Sequence, residues 1–381
     1  MSIRIPGGID AVLTTNPRRS NELSSAVDRP FGDADVFEEA GNRFGPHMAP
    51  LKGWLDRLTI LNNVRTETVS HPGGRQQHAR LRIGAPSEAP LITEIVGAHL
   101  GTGAIPSVAL GLAGHMSPRT LNCTGAQMRG GPTLCDDFAE LSSAELLRGA
   151  EILERTAQRS TGSQREVQNT REVARYMRKL AGSPAFTFEQ WAEETAPEDL
   201  MVMGIPLTLP LQKQLQQTVW MLENEITSTV LLNVQAMDWD SHFDNLSTQT
   251  KHNAVFFPLL ARFFEQLATR RNAHGTLADN TVVVLMSELG RHPYLNASHG
   301  KDHLPEAPLI MFGKPFKPGV YGATGREMEA LPVDPATGQL AKNGRMVRLD
   351  DIGVTILDAF GIDPLTYGYQ GRPVEFLRSA S

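Results

Sequence analysis

Three short stretches in the second half of the chain place carboxylates beside histidines. They are MDWDSH at 237–242, SELGRHP at 287–293 and GKDHLP at 300–305. Carboxylate and imidazole groups together form the ligand set of a hard or borderline divalent cation. If one edge of a sheet brings the three stretches together, they could hold one or two metal ions. A metal-dependent hydrolase is therefore the first hypothesis.

The first two stretches leave alternative interpretations open. Asp240 and His242 are two residues apart, so their side chains lie on the same side of an extended segment. Asp238 and His242 would instead share a face if the segment formed a helical turn. Glu288 follows an apolar run, where a buried carboxylate needs a cation, and either a metal ion or Arg291 could supply it. Arg291 could also bind a phosphate or sulfate oxygen through its planar guanidinium.

The third stretch carries the densest group of histidines. Asp302 and His303 lie in a loop bounded by glycine and proline, and His292 and His299 are close in sequence. Exposed loop histidines are common, so one or two of these three histidines are expected to have no chemical role. The carboxylate and imidazole of Asp302 and His303 remain candidate metal ligands.

A nucleophile is predicted upstream, where Ser70 and His71 precede Pro-Gly-Gly. A serine beside a metal ion can lose its proton and attack phosphorus or sulfur. Thr66 and Thr68 are alternatives, and an ordinary helix N-cap is the competing interpretation of each hydroxyl. The sequence contains neither a G-x-S-x-G nucleophile elbow nor a GxxxxGK[ST] phosphate loop.

The composition limits the class of protein. The 381 residues are 40% hydrophobic and 20% charged, and the net charge of −6 gives no reason to expect nucleic acid as a partner. No run approaches the roughly 18 apolar residues of a membrane helix. No basic segment followed by an apolar one marks a signal peptide, although the start of the chain could be trimmed. The localisation is therefore left open.

The chain has two cysteines, Cys123 and Cys135, in a region rich in Gly, Thr and Pro. They could form a disulfide in an exported protein, but they lack the CxxC spacing of a zinc knuckle. Two unrelated thiols is the preferred interpretation.

Strand-like and helix-like segments alternate along the chain, which predicts a mainly parallel sheet covered by helices on both faces. Buried strands are predicted at 227–234, 281–287 and 307–313, because each is a short run of apolar and β-branched residues. No internal repeat or linker is visible, so one domain over residues 1–381 is expected. The other predicted elements are a first strand ending near residue 5, polar loops over 16–46, a helix and strand over 48–64, a helix–strand unit over 91–112, and helices within 67–84, 142–180, 212–225, 252–271 and 348–360.

Ligands of such sheets gather in the loops beyond the carboxyl ends of the strands. The predicted strand TSTVLLNV leads into MDWDSH, and TVVVLMS leads into ELGRHP. Both stretches are therefore predicted at that edge. This placement is a stronger argument for a site than the residue types alone.

Motifs in the same order along nearly the whole chain resemble the DUF1501 family, an uncharacterised bacterial group related to sulfatases within the alkaline phosphatase superfamily. They are RIPGGIDAVLTTNP, VQAMDWDSH, VVVLMSELGRHP, GKDHLPEAPLIMFG, GVYGATG and TILDAFGIDP. The combination of WDSH, SELGR and KDH is specific. The resemblance implies an alkaline-phosphatase-like three-layer α/β/α sandwich, in which strand-end ligands hold a divalent metal beside a nucleophile.

By the same resemblance, the family motifs assign roles to residues of this chain. Ser70 and His71 match the family's Ser-His and are implied to be catalytic, with Ser70 as the nucleophile, and Arg291 matches a catalytic residue that steadies the substrate or the metal ligands. Two departures bear on these roles: Asp238 stands where the family usually has glycine, and the segment after His71 diverges. The metal ligands implied by the resemblance are Asp10, Asp240, His242, Glu288, Asp302 and His303.

The sequence therefore predicts a metal-dependent hydrolase of small-molecule or glycan phosphate or sulfate esters. Its cofactor would be one or more divalent metal ions, with zinc, calcium, magnesium and manganese all left open. A binding or assembly protein that kept the scaffold without turnover is the alternative from another class. A phosphotransferase similar to cofactor-independent phosphoglycerate mutase would require a basic substrate pocket. The resemblance also suggests periplasmic export, as in relatives that carry a twin-arginine leader.

Overall fold

The computed structural model describes residues 1–101, 105–111, 125–127, 142–191, 201–202, 205–206, 208–234 and 237–379. Cys123 and Cys135 lie outside these residues. Helices and strands alternate along the described chain, as the hydrophobic pattern predicts. The α-helices are α1 (His71–Arg80), α2 (Ile92–Leu100), α3 (Ser143–Arg159), α4 (Gln164–Ala181), α5 (Thr208–Glu223), α6 (Asn245–Thr269), α7 (Leu277–Asn280) and α8 (Leu349–Ala359). The 3-10 helices are Ser20–Glu22, Asp33–Asp35, Pro46–Arg57, Pro364–Tyr367 and Glu375–Leu377.

The strands divide into a central sheet and several small two-stranded ribbons. Strands of the central sheet are β1 (Ser2–Ile5), β4 (Leu58–Arg65), β5 (Ile105–Leu110), β6 (Gly125–Gln127), β9 (Thr227–Asn233), β12 (Val283–Ser287), β15 (Glu306–Phe312) and β16 (Gly319–Tyr321). Strands of the ribbons are β2 (Phe37–Glu39), β3 (Asn42–Phe44), β7 (Met201–Val202), β8 (Ile205–Pro206), β10 (Arg271–Asn272), β11 (Gly275–Thr276), β13 (Gly290–Arg291), β14 (His303–Leu304), β17 (Ala323–Thr324) and β18 (Ala330–Leu331).

The central sheet is mainly parallel, as predicted. Its order is β16-β4-β15-β12-β1-β9-β5-β6. Among these eight strands, only β15 runs against its two neighbours, β12 and β4, and the other pairs are parallel. The predicted fold class, an α/β sandwich with a mainly parallel sheet between helical layers, is confirmed.

The side chains of β12 explain why its sequence is apolar without alternation. Val283 and Leu285 belong to the core on one face of the sheet, whereas Val284 and Met286 belong to the core on the other. A strand buried on both faces has no solvent side that would select polar residues. Helices α5 and α6, with the 3-10 helix Pro46–Arg57, cover the first face; α2 and α8 cover the second. None of the described helices is long and apolar enough to cross a membrane.

Three elements differ from the prediction. The 252–271 helix begins at Asn245, because Asp244 caps it by accepting a hydrogen bond from the Ser247 amide, and it continues through Pro258. The polar 16–46 region, predicted as loops, contains the β2–β3 ribbon. The strand predicted at 307–313 is antiparallel to its neighbours. Its own residues could not predict this direction, because the direction depends on pairing with distant strands.

One edge of the sheet collects the segments that matter for function. Strands β1, β9 and β12 are parallel and in register, so the chain leaves all three at this edge. Strand β4 ends there as well, because Arg65 pairs with Glu306 at the start of antiparallel β15. The antiparallel strand therefore brings residues that precede it, rather than residues that follow it, to the same edge.

Candidate metal centre

Four side chains from three separate segments converge at this edge of the sheet. His71 begins α1, Asp240 and His242 lie in the loop after β9, and His303 begins β14. One ligand atom from each lies within 4.8 Å of the ligand atoms of the other three. Within the described part of the chain, this is the one group of histidine, cysteine and carboxylate side chains dense enough to surround a metal ion.

The spacing of the four donors suits a single tetrahedral ion. His242 Nε2 lies 2.9 Å from His303 Nε2, and His71 Nε2 lies 3.2 Å from Asp240 Oδ2. Asp240 Oδ1 is 3.5 Å from His242 Nε2 and 3.7 Å from His303 Nε2. Ligands at the usual zinc distance of about 2.0–2.1 Å lie about 3.3 Å apart in a tetrahedron. These four separations, taken to one or the other oxygen of Asp240, bracket the value that such an ion requires.

The opposite ring nitrogen of each histidine is held by an acceptor. His71 Nδ1 lies 2.6 Å from Glu288 Oε1, and His242 Nδ1 lies 3.1 Å from Asp302 Oδ1. His303 Nδ1 lies 2.7 Å from the carbonyl oxygen of Val69. A carbonyl oxygen or ionised carboxylate can only accept, so each Nδ1 carries the hydrogen. In the neutral rings, each Nε2 then presents a lone pair to the centre.

Converging lone pairs need a positive charge between them. His71 Nε2 is buried and has no hydrogen-bond partner, and the Nε2 atoms of His242 and His303 face each other at 2.9 Å. Burial holds the pKa of His303 below its ordinary value despite the opposing hydrogen bond to the Val69 carbonyl, and the charge of Arg291 lowers it further, which favours the neutral ring. A divalent cation satisfies all three lone pairs at once, so these residues fit a metal ion.

Arg291 lies behind Asp240 and faces away from solvent. Its Nη2 donates to Asp240 Oδ1 at 2.8 Å and to the Gly7 carbonyl at 2.9 Å, and its Nη1 donates to the Lys301 carbonyl at 3.0 Å. Burial alone would raise the pKa of Asp240, but the charge and hydrogen bond of Arg291, followed by the charges of His71 and His242, hold the pKa below its ordinary value. Arg291 therefore orients the Asp240 carboxylate and favours its ionised form.

The Gly-Gly turn after β1 leaves room for this arrangement. Gly7 has φ +85°, and a Cβ there would lie 2.2 Å from the amide nitrogen of Asp240. At Gly8 a Cβ would lie 2.8 Å from Arg291 Nε. Any larger residue would push the Asp240 loop and the guanidinium apart, so two glycines are required here.

Two predicted ligands are placed one contact away from the centre. Glu288 is fully buried and uses both oxygens for protein donors: Oε1 for His71 and the Gly7 amide, and Oε2 for Arg75 Nε at 3.0 Å. Asp302 is exposed and accepts from His242 and, at 3.2 Å, from Asn296 Nδ2. The Asn296 bond, and then the His242 bond, lower the pKa of Asp302. Both carboxylates therefore orient a histidine ring.

Asp10, the sixth predicted ligand, lies outside the four-residue group. Its Oδ2 accepts from Lys301 Nζ at 2.7 Å and from Asn245 Nδ2 at 2.9 Å, and its Oδ1 accepts from the Val12 amide at 2.9 Å. Lys301 also lies 3.2 Å from Asp28 Oδ2. A buried ammonium group thus already neutralises the Asp10 carboxylate.

The predicted nucleophile is placed less favourably. Ser70 is exposed at the N-cap position of α1, and its hydroxyl makes no hydrogen bond to a residue that the structure describes. Its amide donates to Thr68 Oγ1, and Thr66 Oγ1 donates to the Pro305 carbonyl. None of these contacts joins a hydroxyl to the ligand group, so the nucleophile remains a prediction.

Several residues at the site carried no recognisable signal in the sequence. Arg75 lies four residues after His71, and a motif search has no reason to select it. Lys301 directly precedes the predicted Asp302–His303 pair, but a lysine beside two ligand candidates is ordinarily a surface residue. The Val69 carbonyl is part of the backbone, so no side-chain pattern could reveal it.

The chain belongs to the DUF1501 family of proteins of unknown function, whose family model matches residues 7–380. No curated protein sequence is significantly similar to it. Among solved structures, it is similar to a phosphonate monoester hydrolase from Silicibacter pomeroyi, with 12% identity, a TM-score of 0.43, and coverage of 100% of this chain and 77% of that one.

Two further solved structures are similar at comparable sequence identities and TM-scores. A protein of the alkaline phosphatase superfamily from Vibrio parahaemolyticus is 10% identical, with a TM-score of 0.39 and coverage of 100% and 70% of the two chains. A protein from Bacteroides thetaiotaomicron, reported with the metabolism of multiple glycosaminoglycans, is 12% identical, with a TM-score of 0.42 and coverage of 98% and 74%.

Proposed function

We propose that this protein is a metal-dependent hydrolase of phosphate or sulfate esters. The observation that carries the proposal is the group of three imidazole nitrogens and one carboxylate whose ligand atoms lie within 4.8 Å of one another. His71, Asp240, His242 and His303 would hold the ion. When bound, the metal would neutralise charge on the transferred group and lower the pKa of the attacking hydroxyl or water.

The donor set narrows the choice of metal. Imidazole nitrogens suit zinc and similar transition ions, whereas calcium and magnesium prefer sites made entirely of oxygen. Three nitrogen donors and one carboxylate therefore favour zinc or a comparable ion over calcium or magnesium. Only one such group occurs in the described residues, which supports a single ion.

The surrounding residues would keep the site ready for the ion. Glu288, Asp302 and the Val69 carbonyl fix the hydrogen on each Nδ1, so all three Nε2 atoms stay available. Arg291 keeps Asp240 ionised and aimed at the centre. Because these partners pre-position the ligands, little rearrangement is needed when the metal binds.

Ser70 stays a proposed nucleophile, and His71 follows it directly in the chain. The hydroxyl of an exposed loop residue can rotate towards the centre without disturbing a hydrogen bond. The same exposed position also favours a second candidate function, namely a metal-binding member of the family that does not turn over substrate. No described side chain contacts the Ser70 hydroxyl as a general base would.

Metal analysis with an activity panel separates these functions. Purified protein would be loaded with zinc, manganese or calcium, dialysed, and analysed for metal by mass spectrometry, then offered small-molecule and glycan phosphate and sulfate esters. One zinc per chain with turnover of an ester supports the hydrolase. One zinc without turnover supports the binding protein, and no retained metal contradicts both. His274→Ala, which changes an exposed histidine outside the group, serves as the matched control for His242→Ala.

A further inference from the structure

Two arginines contact the carboxylates at the site, and they differ in how many of their nitrogens are available. The Arg291 side chain is 0% exposed, and its guanidinium donates to Asp240 and to backbone carbonyls. The Arg75 side chain is 41% exposed, and it donates to Glu288 through Nε alone. Within the described part of the chain, the two terminal nitrogens of Arg75 have no hydrogen-bond partner.

Glu288 fixes Arg75 beside the ligand group. His71 and Arg75 are four residues apart on α1, so their side chains lie on the same face of the helix. One oxygen of Glu288 lies 2.6 Å from His71 Nδ1, and the other lies 3.0 Å from Arg75 Nε. A single buried carboxylate therefore holds a metal ligand and a guanidinium side by side.

We propose that Arg75 is a substrate-binding residue whose terminal guanidinium nitrogens bind oxygens of the phosphate or sulfate group. This inference rests on the proposed hydrolase function and specifies how the anion is recognised. A guanidinium anchored at Nε presents its remaining hydrogens as a planar fork, which matches two oxygens of a tetrahedral anion. The role that the sequence suggested for Arg291 thus moves to Arg75.

A second, more deeply buried arginine adds positive charge near Arg75. Arg4 is 7% exposed, and its Nε is buried without a hydrogen-bond partner. Burial lowers the pKa of Arg4 to about 10, the Glu288 charge opposes this, and the Arg75 charge adds to it. The positive charges of Arg4 and Arg75 therefore repel each other, and an anion bound between them and the ligand group would reduce this repulsion.

Binding of inorganic anions tests the inference without relying on turnover. Zinc-loaded wild-type protein would be titrated by calorimetry with inorganic phosphate and, separately, with sulfate. Loss of a charge-assisted hydrogen bond is expected to weaken binding at least about tenfold in Arg75→Gln. Arg75→Lys should fall in between, because lysine keeps the charge but not the fork. The anion that loses more affinity identifies the ester class.

Arg262→Gln is the matched control, because Arg262 is 48% exposed and also pairs with a glutamate, through Nη1, away from the ligand group. Its anion affinity should equal that of the wild type. Equal affinity in Arg75→Gln and wild type, or no anion binding by zinc-loaded wild type, would overturn the inference. A parallel loss of zinc affinity in Arg75→Gln would also overturn it, since Arg75 would then act through Glu288. Failure of the wild type to retain zinc contradicts the proposed hydrolase function instead.

Discussion

The ammonium group of Lys301 lies 2.7 Å from Asp10 Oδ2, with the two side chains 0% and 1% exposed. Asp28 contributes a second carboxylate, 3.2 Å from the same nitrogen. The pair joins the turn after β1 to the loop that carries His303. A carboxylate that the sequence assigns to a metal ion is therefore neutralised by a lysine.

Removing the lysine should destabilise the protein strongly. We expect Lys301→Met to lower the free energy of unfolding by about 3–5 kcal/mol, because Asp10 would be left buried without its cation. The double variant Asp10→Asn, Lys301→Met should recover part of that loss. Urea denaturation followed by circular dichroism measures both changes. Lys314→Met, which breaks an exposed ion pair with Asp279, is the control and should change little. A similar small effect in Lys301→Met would contradict the interpretation.

The sequence predicted the strands of the sheet well, because each buried strand is a short run of apolar and β-branched residues. The buried runs of β9 and β12 predict Asp240 and Glu288 at the carboxyl edge, and both residues lie there in the structure. The direction of a strand cannot be predicted from its own residues, because it depends on pairing with distant segments of the chain. His303 reaches the edge only because β15, which follows it, is antiparallel.

The sequence also could not show which residues bind the metal directly and which only orient a ligand. A glutamate after an apolar strand is compatible with binding a metal directly or with holding a histidine. Which of these two roles Glu288 has depends on the hydrogen-bond partners of its two oxygens, and these partners are His71 and Arg75. The family resemblance implies a catalytic role for His71 beside Ser70, whereas the structure places its Nε2 among the ligand atoms, 3.2 Å from Asp240 Oδ2.

Glu288→Gln is expected to weaken zinc binding by about 10–100-fold while keeping one zinc per chain at saturation. Glutamine still accepts a hydrogen bond, so the His71 ring stays oriented, but it lacks the charge that makes the imidazole a better donor to the metal. Competition with a chromophoric chelator gives the affinity. Glu265→Gln, at an exposed position, is the control. Complete loss of the zinc would show instead that Glu288 is a direct ligand.

Zinc should stabilise the folded protein through the same four ligands. At a free zinc concentration of 100 times the dissociation constant, the free energy of unfolding should rise by about 2.7 kcal/mol, since the ion binds the folded state. A chelator should abolish this gain. Neither addition should alter the stability of His242→Ala, whereas His274→Ala should respond like the wild type. The measurement is chemical denaturation with and without zinc, and an equal gain in His242→Ala would argue against the centre.

Glu94 should make stability depend on pH. It lies in α2, is 2% exposed, and accepts a hydrogen bond from the Leu91 amide at 2.8 Å. Burial raises its pKa from 4.5 to about 7, despite the opposing effects of that hydrogen bond and of Arg80. The folded state therefore binds the proton more tightly than the unfolded state does. The resulting stabilisation is complete below about pH 4.5 and is lost as the pH rises through about 7.

Glu94→Gln isolates this contribution, because glutamine can accept the Leu91 hydrogen bond but does not titrate. The free energy of unfolding of the wild type minus that of the variant should fall by on the order of 2–3 kcal/mol between about pH 4.5 and about pH 8. Urea denaturation at a series of pH values measures the difference, in which the other titrating groups cancel. If this difference stays constant or rises with pH, burial does not raise the pKa of the Glu94 carboxyl.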